Sequence, residues 1–232
     1  MIDIIPAILP KNYEDLKNKI ALVRGIVSVV QIDICDGIFV PSKSWPFTTG
    51  GFDDDNFFKI INEQEGMPFW EDVDFELDLM VTDAVSNFDI YTKLGPKRII
   101  FHLEAVGDSN EFKDFIEGMD VYIRDAIEIG VAIDIKTPVE KIFPLVNHVD
   151  FIQTMGIDHD GFQGEEFDEK VLEQIKILKE KYQDLIVSVD GGVNFDTAQE
   201  LGEAGAERLV AGSVIFKSED IRETINELES VV

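Results

Sequence analysis

Short apolar runs alternate with amphipathic stretches along the whole chain. The apolar runs predict strands over Asp3 to Leu9, Ser28 to Ile34, Asp74 to Met80, Arg98 to Leu103, Val131 to Ile135, Asp150 to Met155, Leu185 to Val189 and Arg208 to Ala211. Helices fit between them, with start signals at Asn12, at Thr137 ahead of Pro138, and at Asn194 with Asp196 in the first turn. Eight such units in succession predict an α/β fold closed into a parallel (β/α)8 barrel, the TIM barrel. An open doubly wound sheet is the alternative, but no Gly-x-Gly-x-x-Gly follows the first strand. With 232 residues the chain can bury one large core, so residues 1–232 are expected to form a single domain.

Two of the strand ends carry a specific chemistry. Ser188-Val189-Asp190-Gly191-Gly192-Val193-Asn194 and Leu209-Val210-Ala211-Gly212-Ser213 each run from an apolar strand into glycines that open a helix. Glycine lets backbone N–H groups approach an anion closely, and the helix dipole adds attraction, so both turns are candidate phosphate sites. They follow strands seven and eight, where barrels recurrently bind phosphate.

Charge narrows the partners. Asp and Glu number 47 against 20 Lys and Arg, a formal charge of −27, which argues against nucleic acid and against an anionic membrane surface. A small phosphorylated metabolite is still compatible, because backbone amides act locally while exposed charge is screened beyond roughly 8–10 Å. No apolar run reaches the roughly 18 residues needed to span a bilayer. The single cysteine, Cys35, rules out an internal disulfide. Together with first residues that read as a strand rather than a basic leader, it leads to an expected cytoplasmic location.

In such a barrel the chemistry lies at the C-terminal ends of the strands. Those ends hold Ala7, Asp33 with Cys35 and Asp36, Asp78 with Met80, His102 with Glu104, Asp134, Met155, Asp190 and Gly212-Ser213. Asp33, Asp78 and Asp190 come from separate strands, and carboxylates gathered in a low-dielectric mouth must bind a cation or raise one another's pKa. His102 reads as a mouth residue hydrogen-bonded to its neighbours, His148 as structural and His159 as an exposed loop residue.

Val30-Gln31-Ile32-Asp33-Ile34-Cys35-Asp36-Gly37-Ile38-Phe39-Val40-Pro41, Leu77-Asp78-Leu79-Met80-Val81, Gly130-Val131-Ala132-Ile133, Gly161-Phe162-Gln163-Gly164, Val189-Asp190-Gly191-Gly192 and Ala211-Gly212-Ser213 together resemble the ribulose-phosphate 3-epimerase family, in order and over nearly the whole chain. The resemblance implies epimerisation at C3 of a ketose phosphate, with Asp33 and Asp190 as the acid and base on opposite faces of an enediolate and a divalent metal beside them. It also implies a substrate pocket lined by Ala7, Met80, Met155, Gly161, Phe162, Gln163, Gly164, Gly191, Gly192, Gly212 and Ser213, and a homo-oligomer as a possible assembly.

Several positions depart from the family. Its two metal-binding histidine positions hold Gln31 and Asp78, and the loop at Met155-Gly156-Ile157-Asp158-His159-Asp160 is altered and one residue longer. Gln31, Asp33, Asp78 and Asp190 would form an all-oxygen site suited to Mg²⁺ or Mn²⁺ rather than Zn²⁺; the alternative is a site without metal, with Asp78 a solvated strand-end acid. Residues 42–73 form an acidic insertion, whose Trp45, Phe47 and Trp70 among aspartates are expected to build a mobile flap at the mouth. Two other functions stay open: a sugar-phosphate binder without turnover, and a related decarboxylase, for which Asp78 to Asp83 has the spacing but carries Met80 where a lysine is required.

Overall fold

The structure is a computed structural model and describes residues 2–231, so Met1 and Val232 at the ends of the expected domain lie outside the described residues. Eight parallel strands close in chain order: β1 (Asp3–Ile8), β2 (Val29–Cys35), β3 (Asp74–Met80), β4 (Arg98–His102), β5 (Glu128–Ile133), β6 (Phe151–Met155), β7 (Ile186–Asp190) and β8 (Arg208–Ala211), with β8 pairing back onto β1. The helices are α1 (Tyr13–Val23), α2 (Asp55–Ile61), α3 (Phe88–Thr92), α4 (Ser109–Glu117), α5 (Val121–Ala126), α6 (Lys170–Lys181), α7 (Ala198–Ala204), α8 (Ser213–Phe216) and α9 (Ile221–Val231). The chain thus forms the TIM barrel that its periodicity predicts.

Successive strand residues point to opposite faces, and this divides the sequence between two layers. Val30, Ile32 and Ile34 of β2, Leu77 and Leu79 of β3, and Ile99 and Phe101 of β4 join one continuous core under the helices. The alternate residues face the barrel axis and are unusually polar: Gln31, Glu76, Asp78, Arg98, His102, Gln153 and Ser188 are all buried. At the N-terminal end these polar groups neutralise one another. Arg98 reaches Glu76 at 3.2 Å and Glu128 at 2.7 Å, Arg208 reaches Glu128 at 3.3 Å, and the Arg208 guanidinium lies 4.6 Å from the centre of the Phe151 ring. At the opposite end Asp78 meets the His102 imidazole, but among the described residues Asp33 and Asp190 form no ion pair, and that asymmetry separates the plugged end from the chemical end.

Asn12 caps α1 as its sequence position suggests, its side chain accepting from Asp15 N at 2.8 Å. Two other start signals differ from what forms. After Thr137-Pro138 only a 3₁₀ turn, Val139–Ile142, follows, because Pro144 has no N–H to give the Glu140 carbonyl and the next turns close by i to i−3 bonds. Asn194 accepts from the N–H groups of Asp196 and Thr197 in a side-chain turn, so the regular helix begins only at Ala198. β5 starts at Glu128 rather than Val131, extended by pairing of Glu128 with Arg98 and Ile129 with Ile99.

The insertion also differs from the expected flap. Trp45 and Phe57 are fully buried, with ring centres 5.4 Å apart, and the Trp45 indole N–H donates to Asp54 at 2.9 Å. The same Asp54 carboxylate caps α2 through Asn56 N and Phe57 N. These residues therefore anchor the second helix of the barrel, and of the two tryptophans only Trp70 is exposed. No helix among the described residues is long and apolar enough to cross a membrane.

Candidate active site

Strand register brings the acids together. β2 and β3 pair with Asp33 directly beside Asp78, while β6 and β7 place Met155 beside Asp190. One carboxylate oxygen from each of Asp33, Asp78 and Asp190 falls within 4.8 Å of the other two. Gln31 sits among them. Its Nε2 donates to Asp33 Oδ1 at 2.8 Å and to Asp190 Oδ2 at 2.6 Å, joining two acids that lie far apart in sequence, on β2 and β7.

Burial and mutual repulsion set the protonation of this cluster. Burial, the Asp190 charge and then the Asp78 charge hold the Asp33 carboxyl well above the usual carboxylate range. Burial, followed by the Asp78 charge, pushes Asp190 up to about 8. Asp78 is hydrogen-bonded at both oxygens, to His102 Nε2 at 2.8 Å and to Gln153 Nε2 at 3.4 Å, and Gln153 in turn accepts from Ser188 Oγ at 3.3 Å. Asp78 is thus a fully buried partner of His102, not a solvated strand-end acid. Burial disfavours the imidazolium, yet the Asp78 charge and hydrogen bond outweigh it and hold His102 up to about 9.

Asp160 belongs to the same environment, and sequence reasoning did not nominate it. Burial pushes its carboxyl up to about 7, opposed by the charge of His102. Its Oδ1, Nδ1 of His102 and Oε1 of Gln31 are buried without a hydrogen-bond partner. Such atoms are costly unless something pairs with them. The signal available in the sequence was the lengthened loop after β6, which carries this acid over the mouth. His159, in the same loop, is exposed and faces Glu165 at 3.6 Å, and His148 pairs with Glu117 at 3.1 Å, both away from the aspartates.

The donor set fits a divalent cation. Three carboxylate oxygens converge, and the unpartnered Gln31 Oε1 offers a fourth oxygen if the amide turns. Among the described residues no imidazole joins the cluster, since His102 Nε2 is taken by Asp78. All-oxygen donors of this kind favour a hard cation.

Above the acids opens a cavity of about 200 Å³. Asp33 and Asp190 line its floor, and the sequence-nominated Ala7, Met80, Met155, Gly161, Phe162, Gln163, Gly164, Gly191, Gly192, Gly212 and Ser213 all line its walls. The turn after β7 strongly favours glycine: Gly191 has φ +95° and Gly192 φ +72°, and a methyl group on Gly191 would lie 2.7 Å from the Ile157 side chain. The Gln163 amide does not face the cavity centre alone but donates to the Ala7 carbonyl at 3.0 Å, tying the loop after β6 to the end of β1. Asp36 is a brace: it accepts from Ile38 N, Phe39 N, Thr82 N and Thr82 Oγ1, and these bonds outweigh burial and lower its pKa.

The model of the ribulose-phosphate 3 epimerase family matches residues 3–216. Ribulose-phosphate 3-epimerase of Bacillus subtilis is 30% identical over 234 aligned positions, covering 98% of each chain. That of Schizosaccharomyces pombe is 27% identical, covering 99% of this chain and 93% of its own. Among solved structures, KGPDC from Streptococcus mutans superposes with a TM-score of 0.67 at 15% identity, over 100% of this chain and 97% of that one, a likeness of fold.

Proposed function

The chain belongs to the ribulose-phosphate 3-epimerase family, a family of isomerases, and from that premise we propose that it inverts C3 of a ketose phosphate by proton transfer between two aspartates. The observation that carries this reading is the Gln31 amide bridging Asp33 and Asp190 at the floor of a glycine-walled cavity. Inverting a carbon acid requires one group to remove a proton from one face and another to deliver a proton to the opposite face. Asp33 on β2 and Asp190 on β7, three strands apart around the closed barrel, would supply these two groups.

Their raised pKa values suit the task. A carboxyl with a pKa near 8 keeps its proton at neutral pH and can donate it, and once ionised it is a stronger base than an ordinary carboxylate. The backbone amides of Gly191-Gly192, Gly212-Ser213 and Gly161–Gly164 would hold the phosphate, which fixes the distance from phosphate to reacting carbon. Met80 and Met155, both nearly fully buried, give the reacting carbon an apolar wall that excludes water.

Asp33, Asp78 and Asp190, with Gln31 through its carbonyl oxygen, would hold a divalent cation, Mg²⁺ or Mn²⁺ in preference to Zn²⁺. A cation there supplies positive charge against the negative charge that develops on the substrate oxygens. Incubation with ribulose 5-phosphate in D₂O tests the function. Xylulose 5-phosphate carrying deuterium at C3 is the expected product. Binding without exchange would favour the sugar-phosphate binder, a reading that His102 already engaging Asp78 also suits. The decarboxylase reading has no support in the cavity, where Met80 offers a thioether in place of an amine.

A further inference from the structure

The cavity that would take a sugar phosphate is lined by Asp33, Glu165 and Asp190 and, among the described residues, by no Lys, Arg or His. In a chain of charge −27 an incoming dianion meets repulsion from both the surface and the cavity wall. One cation is placed to offset it. A methyl carbon built on Gly164 would lie 3.5 Å from Nζ of Lys217 and 3.7 Å from Oγ of Ser213, so both side chains converge on the glycine edge of the cavity.

Local structure explains the convergence. Gly212 turns the chain out of β8, α8 begins at Ser213, and Lys217 N closes the turn by donating to Ser213 O at 3.1 Å. Residues at i and i+4 share a helical face, so Lys217 stands over Ser213 on the side of Gly164. Lys217 is exposed and joins no carboxylate within ion-pair distance among the described residues, whereas Lys136, in the loop after β5, and Lys170, at the start of α6, are each held by an aspartate. Glu165, the nearby acid of the cavity wall, faces His159 instead.

We infer that Lys217 is a phosphate-binding residue, a mobile point charge that adds a Coulombic contact for the ester dianion to the neutral backbone cradle. The inference rests on the sugar-phosphate reading of this cavity. It makes the site selective for a dianion over an uncharged sugar, because backbone N–H groups alone donate to neutral oxygens as well. Lysine suits a rim position, since its flexible stem lets the ammonium follow the ligand without a fixed geometry.

The test compares wild type with K217M, K217R and K217E, using inorganic phosphate as the probe by calorimetry and ribulose 5-phosphate in steady-state kinetics. In K217M the dissociation constant for phosphate and the KM should each rise about tenfold, with kcat within about twofold of wild type; K217R should restore both, and K217E should weaken binding further. Rising salt should weaken wild type more steeply than K217M. Unchanged phosphate affinity and KM in K217M, with wild type binding phosphate normally, would overturn the role of Lys217. Wild type that binds phosphate through Lys217 but turns over no ketose phosphate would overturn the epimerase reading and leave the phosphate contact standing.

Discussion

His102 Nε2 lies 2.8 Å from Asp78 Oδ1, and neither side chain has solvent-exposed surface. Burial alone would make this histidine neutral, but the adjoining carboxylate reverses the balance and holds the pKa up to about 9. Because the folded value lies above the ordinary one, the pair's contribution to stability is fully present below about pH 6.5 and is lost as pH rises through about 9. In metal-free protein the His102 ring should titrate near 9 by NMR, and Asp78→Asn should lower that midpoint. A midpoint near 6.5 would contradict the pairing.

Asp160 changes stability with pH in the same direction, here because burial penalises its charged form. Its carboxyl is raised from 3.8 to about 7, so the folded state binds more protons in that window and stability falls as pH rises through it. Asp160→Asn should therefore be more stable than wild type at pH 8, by up to about 4 kcal/mol, with the difference gone below pH 4. Urea unfolding at the two pH values measures it. Equal stability at pH 8 would show that the loop holds this acid in solvent.

Gly156 passes against the Gly191 turn, and a methyl group there would run into the Gly191 carbonyl oxygen. Gly156→Ala must shift one of two backbones, with an overpacking cost of about 1–3 kcal/mol. Thermal unfolding should show that loss, and phosphate affinity should fall more than the stability change alone explains, since the displaced Gly191 belongs to the cavity wall.

Gln31→Leu removes both donors from Asp33 and Asp190 while filling a similar volume. Those hydrogen bonds favour the ionised acids, so their loss should raise both pKa values further. The variant should be destabilised by about 1–3 kcal/mol at pH 9 and much less at pH 5, as denaturant titrations at each pH would reveal.

The strands were legible because each is a short apolar run, and the ends of β3 and β8 fall where the pattern put them. Most cavity residues were legible for a related reason, since strand ends and glycine turns mark the mouth of a barrel, but Ile157, Glu165, Val193, Asn194 and Val210 were not nominated. What escaped depends on distance across the barrel. The register sets Asp78 beside Ile100, leaving His102 two residues higher, and periodicity does not say that its ring turns toward that acid. Asp160 depends on the path of a loop, which no repeat encodes. The buried Trp45 was misjudged because its surrounding aspartates suggested solvent, whereas Asp54 turns inward to meet its indole N–H. Lys217 was visible four residues after Ser213, but its significance needed the position of Gly164.

Proton exchange at C3 bears most directly on the two-aspartate proposal. Asp33→Asn and Asp190→Asn preserve side-chain size and remove one titratable proton each, and a general acid or base typically contributes about 10²- to 10⁴-fold in rate. With ribulose 5-phosphate in D₂O, wild type should incorporate deuterium at C3 in both epimers. Both variants should lose inversion. The one lacking the base should stop exchange altogether, and the one lacking the acid should exchange on a single face without forming xylulose 5-phosphate. Wild-type protein supplied with Mg²⁺, Mn²⁺ or Zn²⁺ that exchanges no C3 proton, or variants that invert the centre at the wild-type rate, would contradict it.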